Sequence, residues 1–147
     1  MSYALGIDLG TTFSAAAVVR ADGVVELVNL GGRSAAMASV IVPRGDGTVL
    51  FGDAAETRAM VEPTRVAREF KRRLGDPTPL VLGGTPYSAQ TLTTMLLRYI
   101  HDLAVQRMGG PPTRVVVTHP ASYSEFRRDA LETAITEAGI GEHALVT

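Results

Sequence analysis

Between Tyr3 and Val19 the chain sets down an apolar run, a carboxylate, a glycine bend and a second apolar run, and this order constrains the fold most. Tyr3 to Asp8 reads as a buried strand ending on an acid, Leu9-Gly10-Thr11-Thr12 turns the chain, and Ser14 to Val19 reads as a second strand. Ala21-Asp22-Gly23 is a hairpin signal, and Val24 to Leu30 alternates as a third strand. Three antiparallel strands in a row are expected. Because a strand follows the bend, no helix dipole is available there to trap an anion, and neither G-x-x-x-x-G-K-[ST] nor a helix-opening G-x-G-x-x-G occurs. The bend instead offers close backbone approach, successive N–H groups and two hydroxyls, a concavity suited to phosphate oxygens. Each hydrogen bond to a charged oxygen there is worth ~1.5–3 kcal/mol net. Asp8 beside it suits Mg²⁺ held through water, since that ion dehydrates reluctantly. Taken alone, the same bend is equally an ordinary hairpin turn with Asp8 capping a loop.

Gly31-Gly32-Arg33-Ser34 breaks the pattern, and Ser39 to Val42 and Thr48 to Phe51 flank a turn at Arg44-Gly45-Asp46-Gly47. Gly52-Asp53 offers an N-cap for a helix over Ala54 to Met60, which Pro63 ends. Thr64 suits the cap of a second helix from Arg65 to Leu74, with Gly75 behind it. After a Pro/Gly-rich passage with a short strand at Leu80-Val81-Leu82, Ser88 starts the longest helix, to about Arg107. Its stripe of Leu92, Met95, Leu96, Tyr99, Ile100 and Leu103 reads as core. Arg114 to Thr118 has the look of a strand buried on both faces. Ser122 and Glu125 stand at capping-box spacing before a helix to Ala138 that buries Phe126, Ala130, Leu131, Ala134 and Ile135, and Ala144 to Thr147 starts one more strand.

Composition removes several classes of function. With no cysteine among 147 residues, disulfides, thiol nucleophiles and cysteine-bound metals are excluded. The three histidines, His101, His119 and His143, are far apart, and His119 reads as a packing or surface residue. A net charge of −1 with no like-sign tail gives no pull toward nucleic acid or anionic lipid. No apolar run approaches the ~18 residues of a membrane span, and the start is not a signal peptide, so a cytoplasmic protein is expected. Lys71 lies among Arg65, Arg68, Arg72 and Arg73, a cluster that on residue grounds alone reads as a solvated basic helix face.

Gly6-Ile7-Asp8-Leu9-Gly10-Thr11-Thr12-Phe13-Ser14 resembles the first phosphate loop of the seventy-kilodalton heat-shock (DnaK-like) chaperones. In the same order, Phe51-Gly52-Asp53-Ala54-Ala55, Pro63-Thr64, Phe70-Lys71-Arg72-Arg73-Leu74-Gly75, Val115-Val116-Val117-Thr118-His119-Pro120-Ala121 and Arg127-Arg128-Asp129-Ala130 are similar to later segments of that family. The resemblance implies an α/β fold, an actin-like (ribonuclease-H-like) lobe with a mixed sheet and an inserted smaller α/β subdomain. Residues 1–38 and 113–147 would form the central part, the latter truncated, and 39–112 the insertion with the long helix.

Carried over residue by residue, the resemblance implies that Gly10, Thr11, Thr12 and Phe13 line the phosphates of ATP or ADP, with Thr11 near the γ-phosphate. Asp8 would hold Mg through water, Lys71 would be the catalytic lysine and also bind the nucleotide, Thr11 would share the catalytic role, and Pro120 and Arg128 would be the proline switch and relay arginine. It also implies a stress-response chaperone whose full-length form gates client peptides with co-chaperones. The chain departs from the family at Ser122-Tyr123, where the aromatic sits one place later, at Ala35-Ala36-Met37-Ala38-Ser39, and in the short loop from Gly75 to Pro86. The family's Glu-Pro pair, second phosphate loop, adenosine pocket and peptide-binding domain are expected beyond Thr147. A lobe fragment, inactive alone, is therefore expected, with exposed edges that a dimer or strand exchange would cover. A nucleotide-sensing or scaffold protein without turnover is the alternative, and a sugar-kinase relative, which shares the D-x-G-T-T turn, is the third reading.

Overall fold

The computed structural model describes residues 2–31 and 34–147, so Gly32 and Arg33 of the expected break at 31–34 lie outside the described residues. Strands β1 (Tyr3–Leu9), β2 (Phe13–Arg20), β3 (Val25–Leu27), β4 (Met37–Ala38), β5 (Ile41–Pro43) and β6 (Val49–Phe51) lead to helix α1 (Gly52–Ala59). Two 3₁₀ turns, Pro63–Arg65 and Phe70–Arg73, precede β7 (Leu80–Leu82), β8 (Thr85–Tyr87), α2 (Ala89–Met108), β9 (Arg114–Thr118), α3 (Glu125–Glu137) and β10 (His143–Val146).

The main sheet is mixed, in the order β10-β9-β1-β2-β3, with β4 also paired to β2. β1 and β2 run antiparallel from Tyr3↔Arg20 to Leu9↔Ser14, whereas β9 lies parallel to both β1 and β10. This is a mixed α/β architecture, as expected of an actin-like (ribonuclease-H-like) lobe. Alternation fixes the faces: Leu5, Ile7, Val18, Val115 and Val117 are buried. The opposite face carries Gly6, Asp8, Ala15, Ala17, Val116 and Leu27 around a shallow apolar depression. β9 is therefore buried on one face rather than two.

α2 forms as its sequence dictates. The Ser88 side chain accepts from the Thr91 amide, Leu92, Leu96, Leu97, Ile100 and Ala104 face the core, and Gly109 ends the helix at φ 79°. It packs on α3, where the Arg98 guanidinium donates to the Glu137 carbonyl at 2.6 Å, satisfying an orphan acceptor at that helix end.

Four local expectations are corrected. α1 starts at Gly52 with Phe51 as its cap and no side-chain cap bond, so Asp53 lies in the first turn. No α-helix spans 65–74: Val66 is extended and Ala67 pairs with Ile41, because an unsatisfied β5 edge outcompetes the local helix propensity. α3 is capped by Ser124, whose side chain accepts from the Arg127 amide, rather than by Ser122, and Phe126 is 66% exposed. The third strand spans only Val25–Leu27, although Val28 and Leu30 beyond it are buried.

Candidate functional site

Residues 10–12 connect β1 to β2, and four hydrogen bonds hold the bend. The Gly10 amide donates to Ser14 Oγ at 3.3 Å, and the Ser39 hydroxyl donates to the Gly10 carbonyl at 2.8 Å. Ser14 and Ser39 Oγ lie 2.8 Å apart, and since the Ser39 proton is committed, Ser14 is the donor. The result is a closed circuit, Gly10 N–H to Ser14 to Ser39 to Gly10 C=O, with both hydroxyls buried. A further bond, Ser39 N–H to the Thr12 carbonyl at 2.8 Å, ties the bend to the residue after β4. Gly10 is required for a steric reason: a Cβ there would sit 2.0 Å from the Phe13 carbonyl oxygen. The Thr11 and Thr12 amides have no hydrogen-bond partner among the described residues.

Lys71 reaches this bend from the second 3₁₀ turn. The preceding Glu69 sits in the left-handed region at φ 51°, which redirects the chain. Lys71 is 6% exposed, so it is no part of a solvated basic face, and its Nζ donates to the Leu9 carbonyl. Burial pushes its pKa down, while the Asp8 carboxylate pulls it back up. Asp8 ends the exposed face of β1, and its Oδ1 accepts from Thr118 Oγ1 at 2.8 Å.

Asp8, Gly10, Thr11, Lys71, Thr118, His119 and Pro120 line one cavity of about 370 Å³. A second, of about 430 Å³, lies against Thr11, Thr12, Phe13, Asp53, Glu56 and Arg68. Thr11 thus lines both, whereas Thr12 and Phe13 belong to the cavity without Lys71. Pro120 follows β9, and its carbonyl accepts from the Tyr123 amide at 3.0 Å and from His119 Nδ1–H at 2.9 Å. Arg128 is exposed on α3 and lines neither cavity.

Sequence reasoning missed the Ser14–Ser39 pair and Tyr123. The Tyr123 ring stacks on His119 with centroids 5.8 Å apart, and it faces Lys71 Nζ at 5.8 Å and the Arg127 guanidinium at 5.7 Å. Burial raises its hydroxyl pKa, against the pull of Arg127. The displaced aromatic at 122–123 was the visible signal for it.

No cluster of three or more histidine, aspartate or glutamate residues among the described residues would hold a bare metal ion. One carboxylate steadied by a hydroxyl does fit Mg²⁺ that keeps its waters and takes other ligands from phosphates. Among the described residues no helix is long and apolar enough to cross a membrane.

A family model described as "Hsp70 protein" matches residues 4–82, more than half of the chain. The chain is similar to proteins named "Chaperone protein DnaK" from several organisms. It is 29% identical to that of Thermotoga petrophila over 138 residues, covering 94% of this chain and 23% of the relative. For Picrophilus torridus the identity is 32% over 151 residues, covering 99% and 24%, and for Cenarchaeum symbiosum 33% over 145 residues, covering 95% and 22%. The chain spans about a quarter of the length of the curated relatives it matches.

Proposed function

The chain belongs to the Hsp70 protein family, and on that premise we propose that it supplies the first wall of a site where ATP is bound with Mg and hydrolysed in the full-length protein. The observation that carries this reading is the meeting of Lys71, Asp8, Gly10 and Thr11 around one cavity, with the Thr12 amide next along the bend. On this reading the Thr11 and Thr12 amides bind phosphate oxygens, and the Lys71 ammonium offsets negative charge that grows on the transferring phosphoryl group. Magnesium supplies charge neutralisation between the phosphates, and Asp8, oriented by Thr118, holds its water shell. Pro120 and Arg128 carry the nucleotide state outward, client peptides and co-chaperones engage the full-length protein, and a dimer or strand exchange covers the open sheet edges. A cytoplasmic chaperone acting in the stress response is the setting this implies.

The alternative, nucleotide sensing without turnover, draws support from Lys71 itself, whose amine is already engaged by the Leu9 carbonyl and pushed toward neutrality by burial. Titrating the 147-residue chain with Mg-ATP while recording amide spectra tests the proposal. Weak binding is expected, with movement of the Thr11, Thr12 and Lys71 amides and no multiple turnover. Lys71→Ala should weaken that binding about tenfold, the loss of one charge-assisted contact. Shifts confined to other surfaces overturn the site; clear turnover that vanishes in Lys71→Ala overturns its incompleteness.

A further inference from the structure

We propose that Tyr123 is a positioning residue for Lys71, its ring face seating the ammonium at the glycine bend while Arg127 and His119 hold the ring from α3 and from the end of β9. This rests on the reading of Lys71 as the lysine of the phosphate site. Three contacts converge on one ring. Lys71 Nζ lies 5.8 Å from its centroid, inside the distance at which the negative face of an aromatic attracts a cation. The Arg127 guanidinium lies 5.7 Å away and arises from the first turn of α3, which Ser124 caps through the Arg127 amide. The His119 ring stacks at 5.8 Å and 19°, itself held by Nδ1–H donation to the Pro120 carbonyl.

The chain around Tyr123 is fixed as well, since its amide donates to the Pro120 carbonyl at 3.0 Å. The ring therefore has little freedom to drift from the lysine. Lys71 needs such a partner. The residue is 6% exposed, its amine has one carbonyl acceptor, and the Asp8 carboxylate across the cavity acts on it from beyond ion-pair distance. An aromatic face stabilises the charged amine without competing for it as a carboxylate would, so the ammonium stays available to an anionic ligand.

The test is a graded series at position 123 in the 147-residue chain: Tyr123→Phe, phenylalanines with one, two and three ring fluorines, and Tyr123→Leu. Fluorination drains the ring face of negative charge while nearly preserving its shape. The readout is the rate at which the Lys71 amine is acylated by a trace reagent, normalised to exposed lysine in a reference peptide, with thermal unfolding run alongside. Tyr123→Phe should match the native rate, and each fluorine should change it stepwise in one direction, to about fivefold by the third. A flat rate across the aromatic series overturns the proposal, whatever Tyr123→Leu does to folding. No nucleotide enters the measurement. A stepwise series without Mg-ATP shifts at Thr11 and Thr12 would therefore sink the nucleotide reading and leave the seating of Lys71 in place, while shifts with a flat series would do the reverse.

Discussion

Both backbone groups of Gly10 are spoken for by the Ser14–Ser39 circuit, and its missing side chain leaves room for the Phe13 carbonyl. Gly10→Ala must therefore open the bend, because the obstacle is backbone and not the end of a flexible side chain. We expect a loss of about 3 kcal/mol in urea unfolding, the upper end for overpacking, with the Mg-ATP shifts abolished. Gly6→Ala is the control: its Cβ would find only the Ala17 carbonyl oxygen at 3.9 Å, and it should fold like the parent. A second residue-scale effect sits at His143. Burial lowers its pKa, but the Gly141 carbonyl and the Glu132 carboxylate, 2.7 Å from Nε2, outweigh that and raise it. A raised folded pKa means stabilisation that is complete below the free imidazole value of about 6.5 and fades as pH climbs through the folded value. The melting temperature should thus fall on going from pH 5.5 to pH 8.5 (about those values), more than other groups account for, and Glu132→Gln should shrink the difference.

At the scale of elements, capping separates local expectation from structure. Ser122-x-x-Glu125 has capping-box spacing, yet Ser124 accepts from the Arg127 amide. Ser124→Ala should cost about 1 kcal/mol in urea unfolding and Ser122→Ala nearly nothing; the reverse would restore the capping box. The same contrast explains what was legible. α2 carried its own instructions in the Ser88 cap, the stripe from Leu92 to Leu103 and the stop at Gly109, and the bend at 10–12 was legible because its chemistry is local. The 65–74 segment was not. Its basic, helix-favouring residues are overridden by the long-range pairing of Ala67 with Ile41 and by left-handed Glu69, and neither has a signature at short range. β4 escaped notice because two residues, Met37 and Ala38, cannot alternate visibly; Ser39 just beyond them carries the hydroxyl that closes the circuit at Gly10. Lys71 and Gly10 were legible as a pair only through family resemblance, since 61 positions of chain separate them.

Across the whole molecule, packing divides the chain differently from its order. One hydrophobic cluster runs from Tyr3 through Phe70, Leu92, Leu97 and Ile100 to Leu131 and Ile140, joining α2 to the main sheet and α3. A separate small cluster holds only Ala38, Val40, Val42 and Ala55, with Leu50 and Val66 against it. The proposed insertion at 39–112 therefore should not open as one unit. In native-state hydrogen exchange, β1, β9 and α2 amides should exchange only through global unfolding, while α1, whose Ala55 lies in the small cluster, opens locally at lower free energy. Strands β5 and β6, which give Ile41, Val49 and Phe51 to the large cluster and Val42 and Leu50 to the small one, should fall between. Ile100→Ala, at a fully buried position, should lower the global value by roughly 2–5 kcal/mol and drag every slow amide with it. Val42→Ala, equally buried but in the small cluster, should speed exchange in β5 and β6 and leave β1 and β9 where they were. Uniform protection across both clusters, or a Val42→Ala effect that reaches β1, would mean that the cleft walls move as one. The Lys71 turn would then be as rigid as the sheet it meets. Separate opening has the opposite consequence for the site: Phe13 and Thr12 face a wall built partly on the weaker cluster, through Ala38 and Val40, while Asp8 and Lys71 stand on the stronger one, through Ile7 and Phe70.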